Sequence, residues 1–356
     1  MRILTVIGNR PQFIKAAAVT PALRRVHDEV MVHTGQHFDE ELSAVFFSEL
    51  GLPAPERELG IALGSNAYQT ARMLAALEPV LEEVAPDAVL VYGDTNSTLA
   101  GALAGAQAAV PVAHVEAGMR SFDRRMPEEL NRVLADHASE LLLCSSEVAA
   151  KNLRDEGIAG SVEVVGDVMV DVALKVQPRA RERTDLLERW SLKREEYVLT
   201  TAHRPGNVDE LERLRVLVDL LTSLPFEVIW PLHPRTRQRL ERGRLLERLQ
   251  SVEEVTLAPP LGYLEMSALL CNARAVLTDS GGLQKEAYLA GVRCVTLRGT
   301  TEWGETVQHG WNTVVDLDRE QALEAVRREP PPERPPLYGD GRAGDRVVRA
   351  LTLRLQ

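Results

Sequence analysis

The chain has 356 residues, 45% of them apolar, and a formal net charge of −11 with acidic and basic residues interspersed. That length accommodates two domains of ordinary size, and the charge pattern leaves no basic footprint for nucleic acid. No apolar run reaches the length of a bilayer span, and the three cysteines have no metal-ligand spacing, so a cytoplasmic protein acting on small molecules is expected, with no membrane and no nucleic-acid partner.

Ile3–Ile7 is too short for the core of a signal sequence and reads as a first strand. Further apolar runs follow at Val30–Val32, Ala88–Tyr92, Val112–Val115, Leu141–Leu143 and Val162–Val165, with helical patterns at Gln12–Val26, Gln69–Val84 and Asn96–Ala108. The second half repeats the theme at Tyr197–Thr200, Val228–Trp230, Val255–Leu257, Ala275–Leu277 and Cys294–Leu297. Nearly continuous apolar strands imply sheets covered on both faces, and strand–helix alternation implies parallel order. The predicted class is α/β, with two doubly wound Rossmann-like domains facing a cleft and a ligand beyond the carboxyl ends of the strands. Domains are expected at 1–168 and 169–335. The Pro330–Pro336 stretch precedes a final segment, 336–356, expected to pack its helix on the first domain. Arg235–Arg248, with Glu241 and Glu247 interspersed, reads as one solvated helix face.

Candidate chemistry gathers after the predicted strands. Gly8-Asn9-Arg10-Pro11 and Lys15 follow the first and bring two cations to the top of the sheet, either for phosphate or as a solvated surface turn. Asp94, after Tyr92-Gly93, is either a helix N-cap or a carboxylate aimed at the ligand. Glu116 directly follows the apolar run Val112–Val115, where an unpaired charge is costly. Pro127-Glu128-Glu129 opens a helix, and acids there complement its dipole; Glu128 and Arg132 are one turn apart, within reach of an ion pair. His203 and His233 stand at strand ends in the second half. There, Asp279-Ser280-Gly281-Gly282 follows Ala275–Leu277 and reads as a strand, a tight turn and a helix N-terminus. Such a turn offers backbone N–H groups and the positive end of a dipole to a phosphate, without a Cβ in the way; the alternative is a plain helix cap. Glu286, a turn or so further on, is placed to reach a ribose hydroxyl. A diphosphate pocket together with a carboxylate set lacking metal-type ligands points to acid–base work on a sugar nucleotide.

In this order the motifs resemble the non-hydrolysing UDP-N-acetylglucosamine 2-epimerase family. They run from Gly8–Pro11 through Thr34-Gly35-Gln36-His37, Gly93-Asp94-Thr95, His114–Gly118, Pro127–Arg132, Pro231–Pro234 and Thr278–Glu286 to Thr301-Glu302. The resemblance implies a glycosyltransferase-B fold, a homodimer, and no nicotinamide, metal or other cofactor. It implies a reaction that eliminates UDP to a 2-acetamidoglucal and adds it back with inversion at C2. It assigns acid–base work to Asp94, Glu116 and Glu128, contacts to the diphosphate or sugar to Lys15, Arg132 and His203, and counts His203 with the catalytic residues. Arg10 is then near the nucleotide, Ser280, Gly281 and Gly282 on phosphate, Glu286 on ribose and the Leu261–Tyr263 backbone on uracil, with His233 a further substrate contact. Some stretches, Glu302-Trp303 among them, look closer to a subgroup that includes epimerases of UDP-2,3-diacetamido-2,3-dideoxyglucuronate. A glycosyltransferase of the same fold is the more distant alternative.

The chain departs from the family pattern in three places. Trp303-Gly304 stands where Arg-Pro is common, and Pro205-Gly206 where Arg-Glu is common. Phe38-Asp39 and Gly64 stand where many bacterial members carry polar residues for a second, allosteric substrate, so no strong allosteric activation is expected.

Overall fold

In a computed structural model the chain is described over residues 1–36 and 47–355. His37, Phe38 and Asp39 therefore lie outside the described residues. Internal packing divides the chain into two units, Met1–Val172 with Tyr338–Gln356, and Ala173–Leu337. The division falls inside the helix Val168–Glu182.

The first unit is built on a seven-stranded parallel sheet, in the order β3-β2-β1-β4-β5-β6-β7. Its strands are β1 (Arg2–Ile7), β2 (Asp28–His33), β3 (Arg57–Glu58), β4 (Ala88–Tyr92), β5 (Val112–Ala117), β6 (Leu141–Cys144) and β7 (Ser161–Val164). The second unit has a six-stranded parallel sheet, β10-β9-β8-β11-β12-β13. Its strands are β8 (Tyr197–Thr201), β9 (Glu227–Pro231), β10 (Val255–Ala258), β11 (Ala275–Thr278), β12 (Arg293–Thr296) and β13 (Asn312–Val314). Both orders are of the doubly wound Rossmann type, with the chain reversing direction between β1 and β4 and between β8 and β11. Every residue of β4, β8, β11 and β12 is buried, as helices on both faces require.

Local chemistry starts the helices where the strands end. Asn9 caps the helix Arg10–Leu23 by accepting from the Gln12 N–H at 3.2 Å. Thr95 and Thr98 form a capping box at the start of Asn96–Gln107, so Thr95 and not Asp94 is the cap. The C-terminal helix Ala343–Arg354 lies against Arg10–Leu23 within the first unit, its first N–H groups held by the Asp171 carboxylate. The basic stretch expected as one helix face is two helices, Pro234–Arg242 and Leu246–Gln250. Between them Gly243 ends the first and Arg244 takes φ +54°.

Candidate functional site

In open α/β sheets a ligand binds beyond the carboxyl ends of the strands at the point where strand order reverses. In the first unit that point gathers the residues after β1, β4 and β5. Glu116 belongs to a β-bulge: the β5–β6 register shifts between Val115 and Ala117, and Glu116 takes φ +71°. A left-handed backbone costs a non-glycine residue on the order of 1–2 kcal/mol, and bulges re-aim side chains. Here the bulge turns the Glu116 carboxylate onto the ammonium of Lys15, in an ion pair whose side chains are 18% and 9% exposed. Beside it, Asp94 pairs with Arg132 at 2.5 Å. Gly93, at φ +66° and next to Asp94 in the chain, lies against the first pair: a Cβ added there would stand 2.6 Å from Lys15 Nζ and 3.3 Å from Glu116 Oε2.

Arg132 does not pair with Glu128. It reaches Asp94 and Glu129, because Glu129 is the buried member of the helix's first turn. The Glu129 carboxylate also accepts from the Ser121 and Phe122 N–H groups at 2.7 and 3.0 Å and from the Ser121 hydroxyl at 2.9 Å. Burial pushes its carboxyl pKa up, but those donors and Arg132 outweigh burial and leave it below the usual carboxylate value. Glu128 is exposed and has no hydrogen-bond or ion-pair partner among the described residues. Arg10, half-buried, is the first residue of its helix.

In the second unit the reversal point gathers the ends of β8, β9 and β11. Asp279, fully buried, accepts from the His203 and Arg204 N–H groups and from Asn207 Nδ2, at 3.0–3.2 Å. It thereby fixes the loop after β8 against the turn after β11. The exposed rings of His203 and His233 come together, centroids 6.3 Å apart. Ser280 is the N-cap of the helix Gly281–Ala290, but its side chain makes no capping bond. Neither Gly281 nor Gly282 has positive φ, and a Cβ on Gly282 would meet nothing nearer than Ser280 Oγ at 4.0 Å. The fold itself thus has no need of glycine there, and the space above the turn is open. Glu286 is half-buried and hydrogen-bonded to the buried Tyr263; burial pushes its carboxyl up to about 7. Trp303 donates its indole N–H to the Gly281 carbonyl at 2.7 Å, and Lys285 Nζ lies 4.7 Å from the centre of its ring.

The family profile described as UDP-N-acetylglucosamine 2-epimerase matches residues 22–352. The chain belongs to that family. A Methanococcus maripaludis protein described as a UDP-N-acetylglucosamine 2-epimerase homolog is 46% identical over 99% of both chains. A UDP-2,3-diacetamido-2,3-dideoxy-D-glucuronate 2-epimerase of Pseudomonas aeruginosa is 45% identical, again over 99% of both. Among solved structures, the Methanocaldococcus jannaschii UDP-GlcNAc 2-epimerase in complex with UDP-GlcNAc and UDP superposes with a TM-score of 0.88, at 40% identity and 99% coverage of each chain. The two Rossmann-like domains are therefore of the glycosyltransferase-B class that family members share.

Within this family member the expected residues fall into two groups, one per unit. Lys15, Asp94, Glu116 and Arg132 come together in the first unit as two adjacent ion pairs, and Glu128 joins neither. His203 and His233 come together in the second, as do Tyr263 and Glu286, while Ser280, Gly281 and Gly282 form the turn. Residues whose importance the sequence did not reveal are those that hold these in place: Gln12, Glu129, Asp136 and Asp279. Gln12, for example, accepts from the Gly8 N–H at 2.7 Å and donates to the Tyr92 carbonyl and Thr98 hydroxyl at 3.0 Å, tying β1 to β4. Polar side chains buried inside strand-end motifs were the available signal. Among the described residues no group of three or more His, Cys, Asp or Glu side chains is arranged to hold a metal, and no helix is long and apolar enough to cross a membrane.

Proposed function

We propose that this chain is a non-hydrolysing UDP-N-acetylglucosamine 2-epimerase that interconverts UDP-GlcNAc and UDP-ManNAc. The observation that carries the reading is the pair of carboxylates, Glu116 and Asp94, each held by its own cation, with Gly93 preceding Asp94 in the chain and lying against the Lys15–Glu116 pair. Inversion at C2 needs one group to take the C2 proton as the C1–O bond to UDP breaks, and another to return a proton to the opposite face of the glucal as the C1–O bond re-forms. The C2 proton is weakly acidic, so much of the rate must come from stabilising the leaving diphosphate. In this reading Asp94 and Glu116 are the primary proton carriers. Glu128, exposed and without a partner among the described residues, is the third candidate. Lys15 and Arg132 each hold one of the two carboxylates and are at hand for diphosphate or sugar. The second unit takes UDP: Ser280–Gly282 and His203 toward phosphate, Glu286 toward ribose, Tyr263 toward uracil, with Arg10 and His233 as further substrate contacts. A homodimer in the cytoplasm, with no cofactor, completes the reading.

Incubation of UDP-GlcNAc in D2O without an acceptor tests it. Deuterium should enter C2 and UDP-ManNAc should accumulate; no exchange rejects it, and transfer only when an acceptor is added rejects it in favour of a glycosyltransferase. The second reading is epimerisation of UDP-2,3-diacetamido-2,3-dideoxyglucuronate, supported by the 45% identity to the Pseudomonas enzyme. Both substrates at equal concentration, followed by NMR at C2, decide between them by the ratio of kcat/KM.

A further inference from the structure

His114 lies on β5, fully buried, two residues before Glu116. Its Nδ1 is 2.7 Å from Asp136 Oδ1 and its Nε2 is 2.7 Å from the Gly93 carbonyl oxygen. A carbonyl oxygen only accepts, so Nε2 must carry a proton. The other partner is equally committed. Asp136, also fully buried, receives the Gly118 N–H at 3.1 Å and the Arg120 guanidinium at 2.7 Å on its second oxygen. A permanently charged guanidinium at hydrogen-bond distance favours the ionised form of this carboxyl whatever the state of His114. Arg120 in turn is clamped by both oxygens of Glu156 at 2.7 Å. Asp136 is therefore a carboxylate, and Nδ1 too faces an oxygen that accepts.

We propose that His114 is a positioning residue, held doubly protonated between Asp136 and the Gly93 carbonyl so that it fixes the turn carrying Asp94 and the bulge carrying Glu116. Gly93 is gripped at both ends, its carbonyl by His114 and its N–H by the Val115 carbonyl at 2.9 Å. It is the residue next to Asp94, and the Lys15–Glu116 pair lies directly over its Cα. One buried imidazolium thus sets both proposed proton carriers from beneath without touching substrate. The charged groups around it are Asp136 and Arg120, with Glu156 behind them; the Lys15–Glu116 pair lies against Gly93, and the Asp94–Arg132 pair begins at the next residue. An imidazolium hydrogen bond to a carboxylate is charge-assisted at both ends, which makes it a stiffer support than a neutral tautomer.

The proposal rests on Asp94 and Glu116 being the proton carriers, and its test separates the two claims. Protein labelled with 15N-histidine, assigned at His114 by comparison with His114→Gln, should show one-bond N–H couplings on both ring nitrogens under assay conditions. A single coupling overturns the proposal, whatever the variant does. In His114→Gln, kcat for the UDP-sugar should fall by about 100-fold, the scale expected for a reacting group misplaced by about 1 Å, while KM and the Kd for UDP stay within about twofold. Unchanged kcat, or kcat and KM lost together, overturns it; if that variant does not fold, His114→Asn takes its place. A wild type that turns over no UDP-sugar would sink the functional reading, yet the couplings would still decide the state of His114.

Discussion

Lys15 and Glu116, 101 positions apart in the chain, form an ion pair that is nearly buried, and the pair exists only because Glu116 abandons strand geometry. A carboxylate on a regular strand would point into the sheet's helical cover and face apolar side chains. The bulge instead delivers it to the reversal point of the sheet. If that carboxylate moves a proton, Glu116→Gln should fold, bind UDP normally and lose two or more decades of kcat, the usual scale for a lost acid–base group. The same is expected of Asp94→Asn. Turnover within a few-fold of wild type would make the residue a structural partner of its cation.

Gly93 should be among the least replaceable residues of the first unit. Ala there must adopt a left-handed backbone, at a cost of about 1–2 kcal/mol, and its Cβ would displace Lys15 Nζ. Gly93→Ala is expected to lower Tm modestly and kcat severely. Thermal melts and NMR turnover measure the two together. A variant that is destabilised but fully active would show that the Lys15–Glu116 pair can shift without consequence.

Much of this was legible in the sequence, for a physical reason. Buried parallel strands are written as runs such as Ala88–Tyr92, and ligand groups in such folds follow the strands, so reading what comes after each run picks out Lys15, Asp94, Glu116 and Ser280–Gly282, the first three of which the structure joins in ion pairs. What was illegible depends on which side of an element a residue faces. Glu128 and Glu129 are equivalent to a helix-start argument, yet only Glu129 is buried and takes Arg132. β3 has two residues and β13 only three, too short for any periodicity. The Glu116 bulge has no glycine to announce it, and the role of Asp279 appears only when the loop carrying His203 is folded onto it.

Gly282→Ala separates fold from ligand. Alanine is the better helix former by about 0.8–1 kcal/mol, the backbone at Gly282 is not left-handed, and the Cβ meets open space. The variant should be at least as stable as wild type. A methyl group over the turn would nonetheless obstruct a phosphate seated on the N–H groups, so the Kd for UDP should rise tenfold or more. Calorimetric titration with UDP reads this directly, and an unchanged Kd would remove the turn from the proposed UDP site.

If Glu286 meets the ribose as proposed, UDP binding should depend on pH in a defined direction. Burial raises its carboxyl from the ordinary 4.5 to about 7, so the folded chain keeps a proton that the unfolded chain has already released. The stability linked to this group is full below pH 4.5 and is lost as pH rises through about 7. Ionisation has the opposite effect on a ribose contact, since a carboxylate accepts a hydroxyl proton more strongly than a neutral carboxyl does. Wild type should therefore bind UDP more tightly at pH 8 than at pH 6 even as its own stability declines. UDP itself ionises in the same range, so the quantity to measure is the difference between wild type and Glu286→Gln. That variant should lose the protein's share of the pH dependence in both Tm and Kd, leaving only the ligand's. Parallel curves for the two proteins would mean that Glu286 serves Tyr263 alone and never meets the ribose.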